Sequence, residues 1–155
     1  MVTTAIRSSI SPLALVSDVK DPEIPSVSIW ELGIVRSVET EGTRVTVTIT
    51  PTYSGCPAMD TIRSDIAATL ADHGYACDIR TVYSPAWTTD MISPVGRQQL
   101  AEVGIAPPGK AVDLLCPRCK SPDPRIVSEF GSTACKALMV CSSCGEPFDW
   151  FKELK

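Results

Sequence analysis

Two Cys-x-x-Cys pairs constrain this chain more than any other feature. Cys116-Pro-Arg-Cys119 and Cys141-Ser-Ser-Cys144 are separated by 21 residues. Two thiolates three positions apart can hold one ion from a tight knuckle, and a second knuckle completes tetrahedral coordination. Apolar stretches around them suit short strands: Ile126-Val127, Ala137–Val140 and Pro147–Phe151. The pattern is that of a zinc ribbon. A module of about 40 residues buries too little surface to hold itself together, so the metal stabilises it. Paired redox motifs are the competing reading, but a redox Cys-x-x-Cys normally stands alone at a helix start. Iron of the rubredoxin type uses the same four thiolates and stays open. A closed four-thiolate site leaves no free coordination position, so it is expected to be structural.

Seven cysteines are present, and five of them fall in the last 40 of 155 residues. The chain has no run of 18 or more apolar residues and no charged leader followed by an apolar stretch, so a cytoplasmic protein is expected. Cytosolic thiols stay reduced, which favours metal over disulfides. Net charge is −4, so a basic nucleic-acid footprint is missing; neither nucleic acid nor membrane is an expected partner. The charge is uneven. Residues 1–113 hold 8 basic and 13 acidic side chains, and residues 114–155 hold 6 and 5.

The rest of the chain reads as alternating elements. Ser11-Pro12 caps a first helix with Leu13, Val16 and Val19 on its buried face, ended by Asp21-Pro22. Ile29–Val35 runs into a strand, Glu41-Gly42 turns, and Arg44–Thr50 alternates with Val45, Val47 and Ile49 on one face. Pro51–Pro57 is a loop. A helix over 58–72 carries Met59, Ile62, Ile66 and Leu70 on one stripe and stops at Gly74. Residues 76–83 form a third strand, 84–90 a loop, and Ser93-Pro94 caps a helix ending at Gly104. The predicted fold is α+β: a small, mostly antiparallel sheet with helices packed on one side, followed by the zinc ribbon. The predicted division is 1–105 for the α+β domain, 106–113 for a Pro-Pro-Gly linker, and 114–155 for the ribbon.

Outside the ribbon, Cys56 is the thiol of interest. It precedes Pro57 at the start of the 58–72 helix, near the free N–H groups of the positive helix end. Such a place lowers a thiol's pKa and favours the thiolate that binds metal; the bland reading is a buried packing cysteine. Cys77, in mid-strand, reads as structural. Cys135 is off the knuckle spacing and reads as a small buried hydrophobe, or as part of a weaker metal or interaction site. His73, the single histidine, interacts with a helix end. Asp21 and Glu23 form an acidic turn.

Asp21-Pro-Glu-Ile-Pro25, Glu31-Leu-Gly-Ile-Val35 and Thr50-Pro-Thr-Tyr-Ser-Gly-Cys-Pro57, in this order, resemble the metal–sulfur cluster assembly factor family. Thr81–Asp90 with Ile92-Ser-Pro94, the Pro107-Pro108 linker and Phe130-Gly-Ser-Thr-Ala-Cys-Lys136 narrow the resemblance. Together they are similar to the PaaD (or PaaJ) family of the bacterial phenylacetyl-CoA ring epoxidase system. The resemblance implies a non-catalytic accessory protein of a multicomponent monooxygenase in aerobic phenylacetate catabolism, one that helps mature a di-iron or iron–sulfur centre. It implies that Cys56, with Asp21 and Glu23, handles iron or a cluster transiently, beside structural zinc on Cys116, Cys119, Cys141 and Cys144. The implied partners are the other proteins of that system, the catalytic di-iron protein or the reductase; a homodimer is left open. Two positions depart from the family pattern: Glu31 stands where Asp is expected, and the tail Phe151–Lys155 lacks a further cysteine. The alternative function is a stable structural or regulatory component that uses the ribbon as an interaction module.

Overall fold

The computed structural model describes residues 10–154. Residues 1–9 of the expected first domain, and Lys155 of the expected ribbon, lie outside the described residues. The chain's contacts divide it into two compact units, one up to Trp87 and one from Thr88 onward.

In the first unit, helix α1 spans Pro12–Ser17, with Ser11 Oγ accepting the Ala14 amide at 3.2 Å. Its buried residues are Pro12, Leu15 and Val16; Leu13 is 47% exposed, against expectation. On a 3.6-residue repeat, positions 12, 15 and 16 share an arc and position 13 falls past its edge. Val19 is buried as expected, but beyond the helix end. Residues 29–34 make tight turns before the strand, with the Ile34 amide bonded to Ile29 O at 3.0 Å and Gly33 at φ +74°. This spacing buries Ile29, Leu32 and Ile34 without a strand's alternation.

Strands β1 (Val35–Glu41) and β2 (Arg44–Ile49) form an antiparallel hairpin turned at Gly42, φ +61°. β3 (Ala76–Thr81) joins β2 in parallel, Val45 opposite Cys77. A parallel neighbour needs a crossover, and helix α2 (Ala58–Asp72) supplies it. The sheet order is β1-β2-β3, so the sheet expected to be mostly antiparallel has one antiparallel and one parallel pair. Val45, Val47 and Ile49 of the central strand are fully buried. Helix α2 packs on β3, and α1 packs on α2 and β1. The buried stripe of α2 is Ala58, Ile62, Ile66 and Leu70, a strict i, i+4 row that leaves Met59 half-buried. The helix ends in a Schellman motif: Gly74 N donates to Ala71 O and Tyr75 N to Leu70 O, both at 3.0 Å, with Gly74 at φ +82°.

In the second unit, helix α3 (Pro94–Glu102) starts at Ser93, whose Oγ accepts the Gly96 amide at 2.9 Å. It runs out through Gly104, φ +80°, into strand β4 (Ile105–Ala106). Strands β5 (Pro124–Ser128), β6 (Lys136–Cys141) and β7 (Pro147–Phe151) follow. The order is β4-β7-β6-β5, with β4 parallel to β7 and the other pairs antiparallel.

The division therefore differs from the one expected at 105/106 with a linker over 106–113. Ala106 pairs with Trp150, and Ala106 and Leu114 join Cys116, Met139 and Phe148 in one core. Within this stretch Pro108 is buried and Pro107 and Gly109 are half-buried, while Lys110 is exposed. Among the described residues, no helix is long and apolar enough to cross a membrane.

Candidate metal centre and the Cys56 loop

The two knuckles fold alike because each first cysteine sits at a strand end or turn entry that reverses through a left-handed residue. Cys116 N donates to Ser121 O at 2.9 Å and Lys120 N to Cys116 O at 2.9 Å. Cys141 N donates to Glu146 O and Gly145 N to Cys141 O, again at 2.9 Å. The thiols of Cys116, Cys119, Cys141 and Cys144 converge, all sulfurs lying within 4.8 Å of one another. Cys116 Sγ lies 3.7 Å from Cys144 Sγ, and Cys119 Sγ lies 3.6 Å from Cys141 Sγ. A tetrahedron with Zn–S bonds of about 2.3 Å has edges of about 3.8 Å, so the donor set fits a tetrahedral ion. Cys116 and Cys141 are buried, whereas Cys119 and Cys144 are exposed.

The charges make the same case. The Cys119 amide pulls the Cys116 thiol down, and the Cys144 amide pulls Cys141 down to about 6. Cys119 accepts the Ser121 amide, which lowers it, yet burial and the Cys141 and Cys116 thiols hold it above its ordinary value. Cys144 likewise gains from the Glu146 amide, but burial and its three sulfur neighbours push it up to about 12. Four adjacent thiols cannot all ionise beside one another without a cation, and a dication at their centre removes that conflict. A closed set of four sulfurs gives such an ion a structural part, tying the β5–β6 side of the ribbon to its first knuckle. Arg118 Nη1 and Glu146 Oε2, one on each knuckle, pair at 3.0 Å across the site.

Cys56 lies in the first unit, half-buried, with its amide on Tyr53 O at 3.3 Å and its carbonyl accepting the Met59 amide at 3.3 Å. Its thiol is raised, not lowered as the helix start suggested. Burial is the largest cause; the Ala58 amide opposes it, as a helix N-terminus should, while the Glu23 and Asp21 carboxylates add to the rise. The fold thus brings Cys56, Glu23 and Asp21 within electrostatic reach of one another. They do not form a ready ligand set: among the described residues, the one group of three or more donors within 4.8 Å is the four cysteines. Asp21 is buried, and its Oδ1 accepts the Glu23 and Ile24 amides at 2.8 and 2.9 Å, which fixes the acidic turn.

The remaining candidates are quieter. Cys135 is buried outside the four-thiol group, its sulfur 2.9 Å from Thr133 Oγ1. Cys77 is half-buried on β3, its thiol raised by burial and by Asp78. His73 Nδ1 donates to Thr69 O at 2.9 Å, at the end of α2. Alternation along β2 hid one residue. Thr50 counts as outward-facing there, yet it is 1% exposed, and its Oγ1 has no hydrogen-bond partner among the described residues. With Thr52, Tyr53, Tyr83 and Trp87 it lines a cavity of about 310 Å³ beside the Cys56 loop. The signal available in the sequence was the following Pro51, which ends the strand and takes Thr50 off its alternation.

An α+β domain of the cluster-assembly type followed by a four-cysteine β-ribbon defines the class. Residues 13–74 match the model of the iron–sulfur cluster assembly protein family, and residues 102–152 match the PaaD zinc beta ribbon domain. An Escherichia coli (strain K12) protein, provisionally named as the D component of 1,2-phenylacetyl-CoA epoxidase, is 44% identical over 90% of this chain and 89% of its own. The Fe-S protein maturation auxiliary factor of Porphyromonas gingivalis (strain ATCC BAA-308 / W83) is 34% identical over 56% of this chain and 82% of its own. The crystal structure of a DUF59 domain, of unknown function, from Bacillus anthracis aligns with a TM-score of 0.52 at 28% identity, covering 57% of this chain and 87% of that one. The chain belongs to the PaaD family, together with that epoxidase component.

Proposed function

We propose that this chain is an accessory protein of the phenylacetyl-CoA ring 1,2-epoxidase system in aerobic phenylacetate catabolism. In this reading it assists the assembly or maturation of a metal centre, di-iron or iron–sulfur, in a partner protein, and performs no catalytic step of its own. One observation carries the reading. A single chain that is 34% identical over 92 residues to a protein named as an Fe-S maturation auxiliary factor joins a domain of the iron–sulfur assembly type to the ribbon of the PaaD family. Cys56, half-buried with Glu23 and Asp21 acting on it, is the proposed handling thiol. A raised thiol stays protonated and unreactive until an incoming cation draws off its proton, which suits transient exchange of iron better than permanent retention. Cys116, Cys119, Cys141 and Cys144 hold zinc as the structural ion of the ribbon.

The test is to purify the catalytic subunit from cells with and without this chain and to measure iron per polypeptide. Maturation predicts iron-poor catalytic subunit in its absence, restored by the wild-type chain and not by Cys56→Ser. A second reading, a stable component that docks through the ribbon, draws on the exposed apolar residues Ile126 and Val127 on the edge strand β5 and Phe130 just past its end. It predicts stoichiometric copurification and normal iron content without the chain.

A further inference from the structure

The residue two places after each cysteine ligand does two things at once; these residues are Arg118, Ser121, Ser143 and Glu146. Each donates its backbone amide to the sulfur of the ligand before it: Arg118 to Cys116, Ser121 to Cys119, Ser143 to Cys141 at 3.4 Å, and Glu146 to Cys144. Each also reaches through its side chain to the opposite knuckle. Arg118 Nη1 donates to Glu146 Oε2 at 3.0 Å, and the Ser121 and Ser143 hydroxyls lie 2.7 Å apart. These two side-chain links follow two cross-knuckle sulfur contacts, Cys116–Cys144 at 3.7 Å and Cys119–Cys141 at 3.6 Å. The amide bonds come with the knuckle backbone, whereas the side-chain links depend on which residues stand there.

We propose that Arg118–Glu146 and Ser121–Ser143 form a brace across the two knuckles that fixes the sulfur positions and slows release of the ribbon's ion. The four are positioning residues: none supplies a donor to the ion, and each acts through the sulfur its amide holds. The ion leaves when the knuckles part, and that motion breaks both links, so their energy adds to the barrier for release. The Arg118 side chain is 69% exposed and that of Glu146 37%. Solvent screening therefore limits the ion pair to about a two- to fivefold effect on the rate. The competing reading is charge alone. A dication among four thiolates leaves a net negative centre, which Arg118 would steady and Glu146 would oppose. The two readings differ in sign at Glu146: without its carboxylate the ion is held more tightly if charge alone acts, and less tightly if the brace does. The brace belongs to the ribbon and does not rest on the role proposed for Cys56.

The experiment follows zinc transfer from the full-length, zinc-loaded chain to an excess of a chromogenic chelator, after amide spectra show each variant folded. Arg118→Met and Glu146→Gln should each release zinc about two- to fivefold faster than wild type, and the double variant should be no faster than the faster single. The charge swap, Arg118→Glu with Glu146→Arg, should return the rate to within about twofold of wild type. Ser121→Ala and Ser143→Ala should speed release in the same non-additive way. The cobalt(II)-substituted chain supplies a readout that general destabilisation would not move: the visible absorption bands of the tetrathiolate ion should shift in the single variants and return in the swap. The proposal is overturned if Glu146→Gln releases zinc more slowly than wild type, if the swap is as fast as the single variants, or if the single variants leave both the rate and the cobalt bands unchanged.

Discussion

Lys120 and Gly145 occupy the same place in the two knuckles, four residues after Cys116 and Cys141, and both are left-handed, at φ +62° and +79°. Each donates its amide to the carbonyl of its first cysteine. Lys120 is the one non-glycine residue at positive φ among the described residues. A Cβ built on Gly145 meets nothing within 4 Å, so side-chain space is not what demands glycine there. Gly145→Ala should destabilise the second unit by about 1 kcal/mol through backbone conformation alone. Lys120→Gly should fall within about 0.5 kcal/mol of neutral, because relief of the left-handed cost offsets the freer unfolded chain. Thermal unfolding of the metal-loaded protein checks both.

Removing the metal should unfold the ribbon and spare the first unit. The second core includes Cys116 and Cys141 themselves, so two ligands are also packing residues. Elemental analysis should find one zinc per chain. Chelation, or Cys116→Ser, should abolish the chemical-shift dispersion of ribbon amides and leave resonances from residues 10–87 in place. Retention of native ribbon signals after complete metal loss would sink the structural assignment of the ion.

Trp87 closes the first unit, 5% exposed, with its Nε1 on the Leu32 carbonyl at 2.9 Å. Trp87→Phe keeps most of the ring but orphans that carbonyl, at a cost of about 1–3 kcal/mol. Trp87→Ala also leaves a cavity and should cost about 3–5 kcal/mol. Denaturant melts followed on the first unit separate the two.

Much of this was legible in the sequence where a single periodicity ruled. Helix α2 runs from Ala58 to Asp72, and β2 buries Val45, Val47 and Ile49, because both elements are long enough for their pattern to outweigh local exceptions. The four ribbon cysteines stood out for the same reason: spacing is itself the geometry. Leu13 and Met59 were misplaced because each sits one position off a narrow buried arc. The Pro107-Pro108-Gly109 stretch looked like a linker since composition cannot show that Ala106 and Leu114 fold back onto a core more than 20 residues further on. Cys56 was legible as a position and not as an acidity. The Ala58 amide acts as expected, but desolvation and the carboxylates of Glu23 and Asp21 come from tertiary packing, and together they win.

That acidity has a pH signature. The Cys56 thiol is raised above 9.0 in the folded chain. The folded state therefore keeps its proton where the unfolded state loses it, so this group's contribution to stability is complete below pH 9 and falls as pH rises through and above it. Alkylation of Cys56 should be slow at pH 8, rise steadily with pH, and still not have levelled off at pH 9. Glu23→Gln removes an opposing charge and should speed alkylation at pH 8, whereas Thr52→Val removes a hydrogen bond that favours the thiolate and should slow it. Mass-spectrometric rates for the peptide containing Cys56 check the order: Glu23→Gln fastest, wild type, then Thr52→Val.

The boundary at Trp87/Thr88 makes the last prediction. The first unit has a complete core of its own: Val16, Ile29, Val47, Ile49, Ile62, Ile66 and Leu70 are each fully buried, and Trp87 seals it on Leu32. A fragment of residues 1–87 should therefore fold cooperatively, without metal, and keep slow Cys56 alkylation. A fragment of residues 88–155 should bind one zinc and fold only when it is bound, because α3, β4 and the stretch to Leu114 stay with the strands they pack on. Cutting at 113/114 instead removes β4 from β7 and takes Ala106 out of the core. That ribbon fragment should lose stability by about 2–4 kcal/mol relative to the longer one, the scale of an exposed strand edge plus lost apolar burial. Zinc titrations followed by circular dichroism on both fragments decide it: equal midpoints and equal zinc affinity would restore the boundary to the Pro-Pro-Gly stretch.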